Sequence, residues 1–491
     1  MPFRREQRRM RGLRGQNGGK GEASGAKRVA RRPRLVGRSA SMGLLAAVVG
    51  LLAAGCVSHG PVREGLRVAV FECDATPPPG HPACGGWIAS LDEVEAPLLL
   101  KGVVLADART RYVVASLDWC RLHNGAYDLF RRKMADAAGV PETQVAVHCI
   151  HAHDAPLADT EAQRLLDRVP SAPPHLDLRF MDQVTDRAAA AVRAARPRLR
   201  PFTHVGVGQA KVEKFASTRR VFIEGKIHVR SSATKDPAIR DAPEGKIDPW
   251  LRTVTLFEAD RPILRMHYYA SHLHNNYGDG KADPDVAGLA RAAMEKLEGI
   301  PHLYFSGCGG DVTLGKYNVG PPEEVRRQLA ERLVAGMKGA IAATQRTPVS
   351  EIGWKTVEVR LPLREDGGFD KETLRKQLGD AAERPERRLK AALALAWRER
   401  ATARPGIHAS RLRLGPATIL HLPGEPFVEF QLYAQSTLPD GFVAVAANGE
   451  GGPGYICTDG AFSEGGYEPT MSVVAPPTEA LLKEAIRELL R

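Results

Sequence analysis

The strongest constraint on the fold is an unbroken alternation of strand-like and helical segments between residues 65 and 491. Short runs rich in Val, Leu and Ile at 97–106, 111–118 and 144–150 have the composition of buried strands. An amphipathic stretch at 125–138 lies between two of them and predicts a helix. Because no Gly/Ser-rich or Pro-rich linker interrupts the alternation, we expect one large unit rather than several domains.

The rest of the chain continues this pattern. Helical periodicity recurs at 177–195, 285–297, 322–343, 371–399 and 476–490, and strand-like segments lie near 202–213, 251–258, 262–269, 301–306, 352–361, 409–421 and 441–447. The hydrophobic fraction of 43% and the charged fraction of 26% are typical of a globular protein. We therefore predict an α/β fold of the mixed α+β kind, a large single domain with a mixed sheet core and surrounding helices.

The net charge is concentrated at the N-terminus. The formal charge is +12, and Lys and Arg cluster in the first 40 residues, in runs such as Arg4-Arg5 and Arg31-Arg32. The remainder is much closer to neutral and contains no recognisable nucleic-acid-binding motif, so no nucleic-acid partner is predicted.

The segment after this basic stretch is typical of an export signal. An apolar run from Met42 to Ala54 is too short to span a bilayer and ends in Gly55-Cys56. This predicts a basic extension and lipoprotein-type signal at 1–56, a short linker at 57–64 and a catalytic-type domain at 65–491. The protein would be a cell-envelope lipoprotein, attached to the membrane through lipidated Cys56. An ordinary cleaved signal is the alternative, and it would give a secreted protein.

Export bears on the six remaining cysteines, because an oxidising compartment permits disulfides. They are Cys73, Cys84, Cys120, Cys149, Cys308 and Cys457. Cys73 and Cys84 are close enough in sequence to close a short loop, but the pairing stays open. No two cysteines have CxxC spacing, so the sequence predicts buried free thiols rather than a thiolate zinc site.

Two histidine-bearing segments follow apolar strands. His151 and His153 come just after the strand-like run that ends near residue 150, and residues two apart in a strand point the same way, so both rings could face one ion or reaction centre. His272 and His274 repeat the arrangement after the strand at 262–269. Imidazole nitrogen suits Zn²⁺ better than oxygen-seeking ions do. The sequence therefore predicts a zinc site at these strand ends.

Two weaker signals lie near the C-terminus. Pro423-Gly424-Glu425 follows another apolar strand, where Gly424 allows a tight turn and Glu425 is expected at the start of a helix. A glycine-rich loop further on carries the phenols of Tyr455 and Tyr467.

The order and spacing of these motifs resemble the neutral/alkaline ceramidase family. The resemblance rests on His151-Ala152-His153, His272, Pro423-Gly424-Glu425 and the two tyrosines. It extends to Asp74-Ala75-Thr76-Pro77-Pro78, Leu117-Asp118, Arg219-Arg220 and Ser306-Gly307-Cys308-Gly309-Gly310-Asp311. It covers roughly 65–491, and it implies the ceramidase fold and hydrolysis of an amide bond. The family's separate C-terminal immunoglobulin-like domain is not expected here, because a helical stretch ends the chain soon after Tyr467.

The resemblance also implies roles for individual residues. It makes His151, His272, Glu425 and Tyr455 ligands of Zn²⁺, which the motifs alone suggested for three of the four. His153 would either support the ligands from behind or be the catalytic histidine, and Tyr467 and Arg219 would contact the polar part of the substrate. Two histidines and one carboxylate with an open position are independently what catalytic zinc requires.

One departure from the family concerns its nucleophilic serine. Aligning Asp285 and Gly288 with the family's aspartate and glycine places Pro284 where the serine is expected. Asp283 followed by Pro284 is also a good helix start. Ser271 and Thr313 carry hydroxyls, but by sequence position neither is expected to replace the serine.

The expected reaction is therefore hydrolysis by zinc-activated water, with His153, Asp283 or Asp285 as the base. The substrate would be a small molecule or lipid with an acyl amide or ester bond. Two alternatives stay open: a non-catalytic binding protein that keeps the pocket, and a metal-dependent amidohydrolase barrel, for which eight regular repeats are not evident.

Overall fold

The structure, a computed structural model, describes residues 65–232, 234–404 and 406–491. The predicted signal peptide at 1–56, with its lipidated Cys56, and the linker at 57–64 lie outside the described residues. None of the described helices is long and apolar enough to cross a membrane.

The larger of two main sheets has nine strands and is mixed. In order across the sheet the strands are Ile352–Arg360, Gly406–Leu414, Ala417–Pro423, Phe442–Gly449, Val145–Cys149, Arg111–Leu117, Leu99–Ala106, Arg67–Asp74 and Arg200–Pro201. Its two halves are joined only at the antiparallel pair Gly449 and His148. Each half contains one parallel pair, whose strands end close to this junction. The carboxyl ends of strands from both halves therefore meet near the middle of the sheet.

The second main sheet has five strands and faces the first. Its order is His302–Ser306, Arg261–Tyr269, Trp250–Glu258, His204–Lys211 and Gln345–Pro348. The first two strands are parallel and the other pairs are antiparallel. Val114 and Ile419 of the larger sheet belong to the same buried cluster as Leu256 and Phe305 of the smaller one. The two sheets are thus stacked around a shared apolar core.

Helices cover the outer faces of both sheets. Asn124–Ala138 and Leu178–Ala195 pack on the larger sheet, and Asp285–Glu298 and Pro322–Ala342 pack on the smaller one. The first helix forms because Tyr127, Phe130 and Met134 recur at helical spacing, and all three are fully buried. Burial of each such side chain contributes about 1.5–3 kcal/mol to the free energy of folding. The layers run helix, sheet, sheet, helix.

The remaining elements complete the described structure. The other α-helices are Thr160–Leu166, Pro237–Arg240, Lys371–Gly379, Pro385–Ala403, Val428–Thr437, Asp459–Glu464, Tyr467–Met471 and Thr478–Leu490, and 3-10 turns lie at Ala83–Gly86, Glu142–Gln144 and Arg196–Arg198. Two-residue and four-residue strands lie at Glu93–Val94, Arg121–Leu122, Leu157–Ala158, Ser217–Thr218, Arg220–Ile223, Lys226–Val229, Lys281–Ala282, Val312–Thr313, Glu425–Pro426 and Tyr455–Ile456.

The predicted fold class, a mixed sheet core with surrounding helices, is confirmed. Two predicted elements are each divided in the structure. The helix predicted at 371–399 is two helices, because Pro385 starts a new one after the chain turns. The strand predicted at 409–421 is a hairpin that turns at Gly415, whose φ is +54. The barrel alternative is wrong, because both main sheets are open.

Candidate active site

The two histidine segments lie side by side. Ala152 and Leu273, the middle residues of the two segments, form a parallel bridge. The ring centroids of His151 and His272, the first histidine of each segment, are 4.5 Å apart. Those of His153 and His274, the second histidine of each segment, are 3.6 Å apart. A single bridge between distant strands therefore gathers four imidazoles into one cluster.

The cause of this convergence differs from the sequence-based argument. The strand before the first segment ends at Cys149, so His151 and His153 do not share a strand face. Instead His151 adopts a left-handed backbone conformation with φ +72, and its N–H donates to the carbonyl of Trp119 at 3.0 Å. The two rings still approach, with centroids 4.6 Å apart. Their convergence results from this turn, and the predicted alternation along a strand is wrong.

Two imidazoles and a carboxylate meet at one point. Nε2 of His151 and Nε2 of His272 each lie 3.3 Å from Oε2 of Glu425. The Nδ1 atoms point away from this point, since that of His151 donates to the carbonyl of Cys120 at 3.0 Å and that of His272 to the carbonyl of Gly309 at 2.5 Å. These bonds fix the tautomers and leave both Nε2 lone pairs facing the carboxylate.

Glu425 and Tyr455 are brought together by a short strand pair. Glu425 was expected to start a helix, but the helix begins at Val428 and Glu425 pairs directly with Tyr455 in parallel register. Gly424, at φ +62, makes the turn that allows this pairing. The Tyr455 hydroxyl lies 3.2 Å from Nε2 of His272, so all four residues predicted as ligands surround one point.

The charges at this point are strongly coupled. Burial alone would raise the pKa of Glu425, but the Arg121 guanidinium and His151 outweigh it and hold the pKa well below its usual range. Burial would lower the pKa of His151, but Glu425 raises it to about 9. Burial, reinforced by His151, lowers the pKa of His272 to about 3. With no metal ion, a proton on His151 would occupy the space between ring and carboxylate.

The donor set fits a divalent metal ion. The ligand atoms of His151, His272 and Glu425 lie within 4.8 Å of one another, and all three residues are buried. Within the described residues, Nε2 of His151 has no hydrogen-bond partner. Two imidazoles, a carboxylate and a phenol are ligands that zinc accepts, and two converging lone pairs beside a carboxylate are stabilised by a cation.

Arg121 is a site residue that the sequence did not reveal. Its guanidinium forms an ion pair with Oε1 of Glu425 and lies 5.3 Å from the centre of the Tyr455 ring. It follows the strand Arg111–Leu117, which is parallel to the strand before His151. The site therefore contains a fixed positive charge opposite the imidazoles.

A cavity of about 190 Å³ adjoins this site at Tyr455, which forms part of its wall. It is lined by Cys84, Trp87, Arg121, His153, Arg219, Ser231, Ser232, His274, Tyr277, Thr313, Tyr455 and Tyr467. Four residues predicted for the site are among them, His153, Arg219, Tyr455 and Tyr467. A larger groove of about 640 Å³ lies between the helices Asp285–Glu298 and Pro322–Ala342, but it contains none of the predicted site residues.

His153 and Arg219 are both held firmly at the cavity wall. Nδ1 of His153 donates to the carbonyl of Leu273 at 2.9 Å, which leaves Nε2 as the free nitrogen. Burial lowers the pKa of His153 well below 6.5, so the ring is neutral. Arg219 donates to the Tyr455 hydroxyl at 2.9 Å, and its guanidinium lies 4.8 Å from the centre of the Tyr467 ring.

Asp283 and Asp285 do not line the cavity. Asp283 forms an ion pair with Arg326, and Asp285 accepts from the N–H of Asn275 at 3.0 Å. Burial and the neighbouring Asp283 raise the pKa of Asp285 to about 7. These carboxylates support the loop after the second histidine segment, which is a structural role. Pro284 caps the following helix and is not among the cavity residues either.

Thr313 lines the cavity, as Ser231 and Ser232 do, although its sequence position gave no reason to expect its hydroxyl there. It lies in a short strand that pairs with Ser217–Thr218, just before Arg219. Its Oγ1 accepts from the N–H of Gly315 at 3.2 Å and keeps its own proton available. Ser271, in contrast, donates to the carbonyl of His272 and is not a cavity residue.

Comparisons with known proteins identify the fold. The chain matches no described protein family and no curated protein sequence. Among solved structures it is similar to the neutral ceramidase from Pseudomonas aeruginosa, with a TM-score of 0.64 and 16% identity over 87% of this chain and 74% of that chain. It is also similar to a ceramidase complexed with C2, with a TM-score of 0.63 and 15% identity over the same shares. The chain has the neutral ceramidase fold.

Proposed function

We propose that the protein is a zinc-dependent hydrolase of an amide or ester bond in an acyl-lipid-like substrate. One observation carries the proposal. The Nε2 atoms of His151 and His272 meet the Glu425 carboxylate and the Tyr455 phenol. Tyr455 also lines a cavity, together with the neutral imidazole of His153. The neutral ceramidase fold agrees with this reaction class.

His151, His272, Glu425 and Tyr455 would hold the ion. Zinc in such a set polarises a substrate carbonyl and lowers the pKa of water toward 7. Arg121 keeps Glu425 ionised, and the carbonyls of Cys120 and Gly309 keep both imidazoles in the tautomer that can bind a cation.

His153 would move the proton. Its Nδ1–H is committed to the Leu273 carbonyl, and its neutral ring presents Nε2 as the acceptor. A nucleophile in the cavity, water or the Thr313 hydroxyl, would give its proton to this nitrogen. The same nitrogen would then return the proton to the leaving amine or alcohol.

Arg219 and Tyr467 would bind the polar part of the substrate. Arg219 is fixed between the Tyr455 hydroxyl and Glu468, with which it forms an ion pair at 3.4 Å. Tyr467 is 38% exposed and lies at the edge of the cavity, where a substrate would enter. A volume of about 190 Å³ corresponds to about six water molecules, so it fits the scissile bond and head group, and a long acyl chain would lie outside it.

A non-catalytic binding protein is the second candidate function. The ion pair between Arg121 and Glu425 favours it, because that pair already neutralises the carboxylate without any metal. Such a protein would keep the cavity and bind the same class of molecule without turnover.

The test is metal analysis of the purified protein together with a panel of acyl amides and esters. The hydrolase proposal expects bound zinc and turnover that falls when His151 or Glu425 is replaced. Thr313→Val, which keeps the shape of the side chain and removes the hydroxyl, tests the threonine as nucleophile: turnover is abolished if Thr313 attacks and persists if it does not. Binding of substrates with no turnover in a zinc-loaded protein would favour the second candidate.

A further inference from the structure

Cys84, in the cavity wall, meets Cys120, which is 36 positions away in the sequence. Sγ of Cys84 and Sγ of Cys120 lie 3.8 Å apart, and both residues are buried. With the imidazole of His153, their ligand atoms lie within 4.8 Å of one another. We infer that Cys84, Cys120 and His153 form a second site for a soft divalent metal ion, beside the histidine–carboxylate site.

The separation of the two sulfurs matches shared coordination. Zinc–sulfur bonds are about 2.3 Å long, so two thiolates at tetrahedral angles around one zinc ion are about 3.8 Å apart. Disulfide sulfurs are about 2.05 Å apart. The observed 3.8 Å, which also allows a hydrogen bond between the two thiols, thus equals the separation expected for two thiolates at one metal ion.

The backbone holds both cysteines in place. The N–H of Cys84 donates to the carbonyl of Ala155 at 2.8 Å, and the N–H of Cys120 donates to the carbonyl of Pro156 at 2.9 Å. One short segment, directly after the first histidine pair, thus positions the two thiols next to each other. Metal binding by these two thiols therefore requires no rearrangement of distant parts of the chain.

His153 completes a set of three ligands. Its Nδ1–H donates to Leu273, so Nε2 is the nitrogen free to bind. The ring of His151 separates the two sites, since its Nδ1 lies 3.9 Å from Sγ of Cys120 while its Nε2 faces Glu425. The fourth position is toward the cavity that Cys84 and His153 both line.

Two thiolates and one imidazole select the class of metal. Thiolate ligands favour zinc and other soft ions over Mg²⁺ and Ca²⁺. On binding, each thiol loses its proton to solvent, so the two thiolate charges balance a divalent cation. Where the proposed function holds, a metal ion in this site takes the Nε2 lone pair that accepts the catalytic proton. Excess soft metal would therefore inhibit hydrolysis.

Cobalt is the direct probe, because Co²⁺ bound to thiolate gives a sulfur-to-metal charge-transfer band. The full-length reduced protein should bind two equivalents and show this band. The double variant Cys84→Ser, Cys120→Ser should bind one equivalent and lose the band, and Cys308→Ala, which removes a buried thiol outside the cavity, should keep both. Glu425→Gln should lose one equivalent and keep the band, which separates failure of this site from failure of the proposed active site.

Alkylation of the wild-type chain provides a test that needs no variant. Zinc should protect Cys84, the thiol that lines the cavity, from iodoacetamide, as mapped on peptides, and a chelator should restore its reaction. Absence of the cobalt band in reduced protein, or its persistence in the double serine variant, would overturn the inference. So would a disulfide between Cys84 and Cys120 that forms in the presence of zinc.

Discussion

The replacement of Glu425 by glutamine tests the metal site most directly. Glu425 is buried between the Arg121 guanidinium and the Nε2 atoms of His151 and His272, and its pKa is held well below its usual range. The variant keeps the shape of the side chain and removes its charge. The buried Arg121 guanidinium is then left without its partner.

The expected loss of stability follows from that unpaired charge. Breaking one partner of a buried ion pair costs about 3–5 kcal/mol. For a domain of this size the midpoint of thermal unfolding should fall by about 3–6 °C.

The response to zinc should change as well. At a free zinc concentration a hundredfold above Kd, binding adds about 2.7 kcal/mol to the unfolding free energy. Measured in the Cys84→Ser, Cys120→Ser background, so that one site contributes, the parent protein should show this stabilisation. The Glu425→Gln protein should show almost none at the same zinc concentration.

Glu450→Gln is the matched control. Glu450 is equally buried, but it accepts a hydrogen bond from the Tyr127 hydroxyl at 2.8 Å and lies outside the cavity. Burial raises its pKa to about 7, so glutamine closely resembles its protonated form. This variant should keep the full zinc response. Equal zinc stabilisation in the Glu425→Gln protein and its parent would refute the assignment of Glu425 as a ligand.

Four further results are expected. His153→Ala should lower turnover by roughly 10²–10⁴-fold, the range expected for the loss of a general base, while the histidine–carboxylate site keeps its zinc. Steady-state kinetics would measure the first effect and metal analysis the second. Pro284→Ser should leave turnover unchanged, because Pro284 caps a helix and does not line the cavity; a large gain would mean that the hydroxyl reaches the substrate. The folded state holds the Glu450 proton more tightly than the unfolded chain, so the stabilisation from this group is complete below about pH 4.5 and is lost as the pH rises to about 7. Denaturant titrations should show that the unfolding free energy of the wild-type protein falls by about 3 kcal/mol over that pH range relative to that of Glu450→Gln. The same pH dependence in both proteins would contradict the raised pKa of Glu450. Cys56→Ser should release the protein from membranes, and unchanged fractionation would exclude lipidation at Cys56.

Elements with strong local periodicity were predictable from sequence. The helices Leu178–Ala195 and Thr478–Leu490 lie within two residues of their predicted bounds, because their apolar spacing is set by neighbours along the chain. The errors fell where one residue redirects the backbone, as Pro385 and Gly415 do. Glu425 was misassigned to a helix for a related reason, since its pairing partner Tyr455 is far away in sequence.

The sequence by itself determined the residue types of the site: histidine pairs placed after apolar strands, a carboxylate after a glycine turn, and phenols in a glycine-rich loop. The tertiary structure decided which groups share the cavity. It brought Arg121 to Glu425, Cys84 to Cys120 and Thr313 to the cavity wall, and it placed Asp283 and Asp285 elsewhere. Local spacing fixes the direction of a side chain relative to its own strand or helix. Contacts between distant segments depend on how strands order within a sheet, which no local pattern encodes.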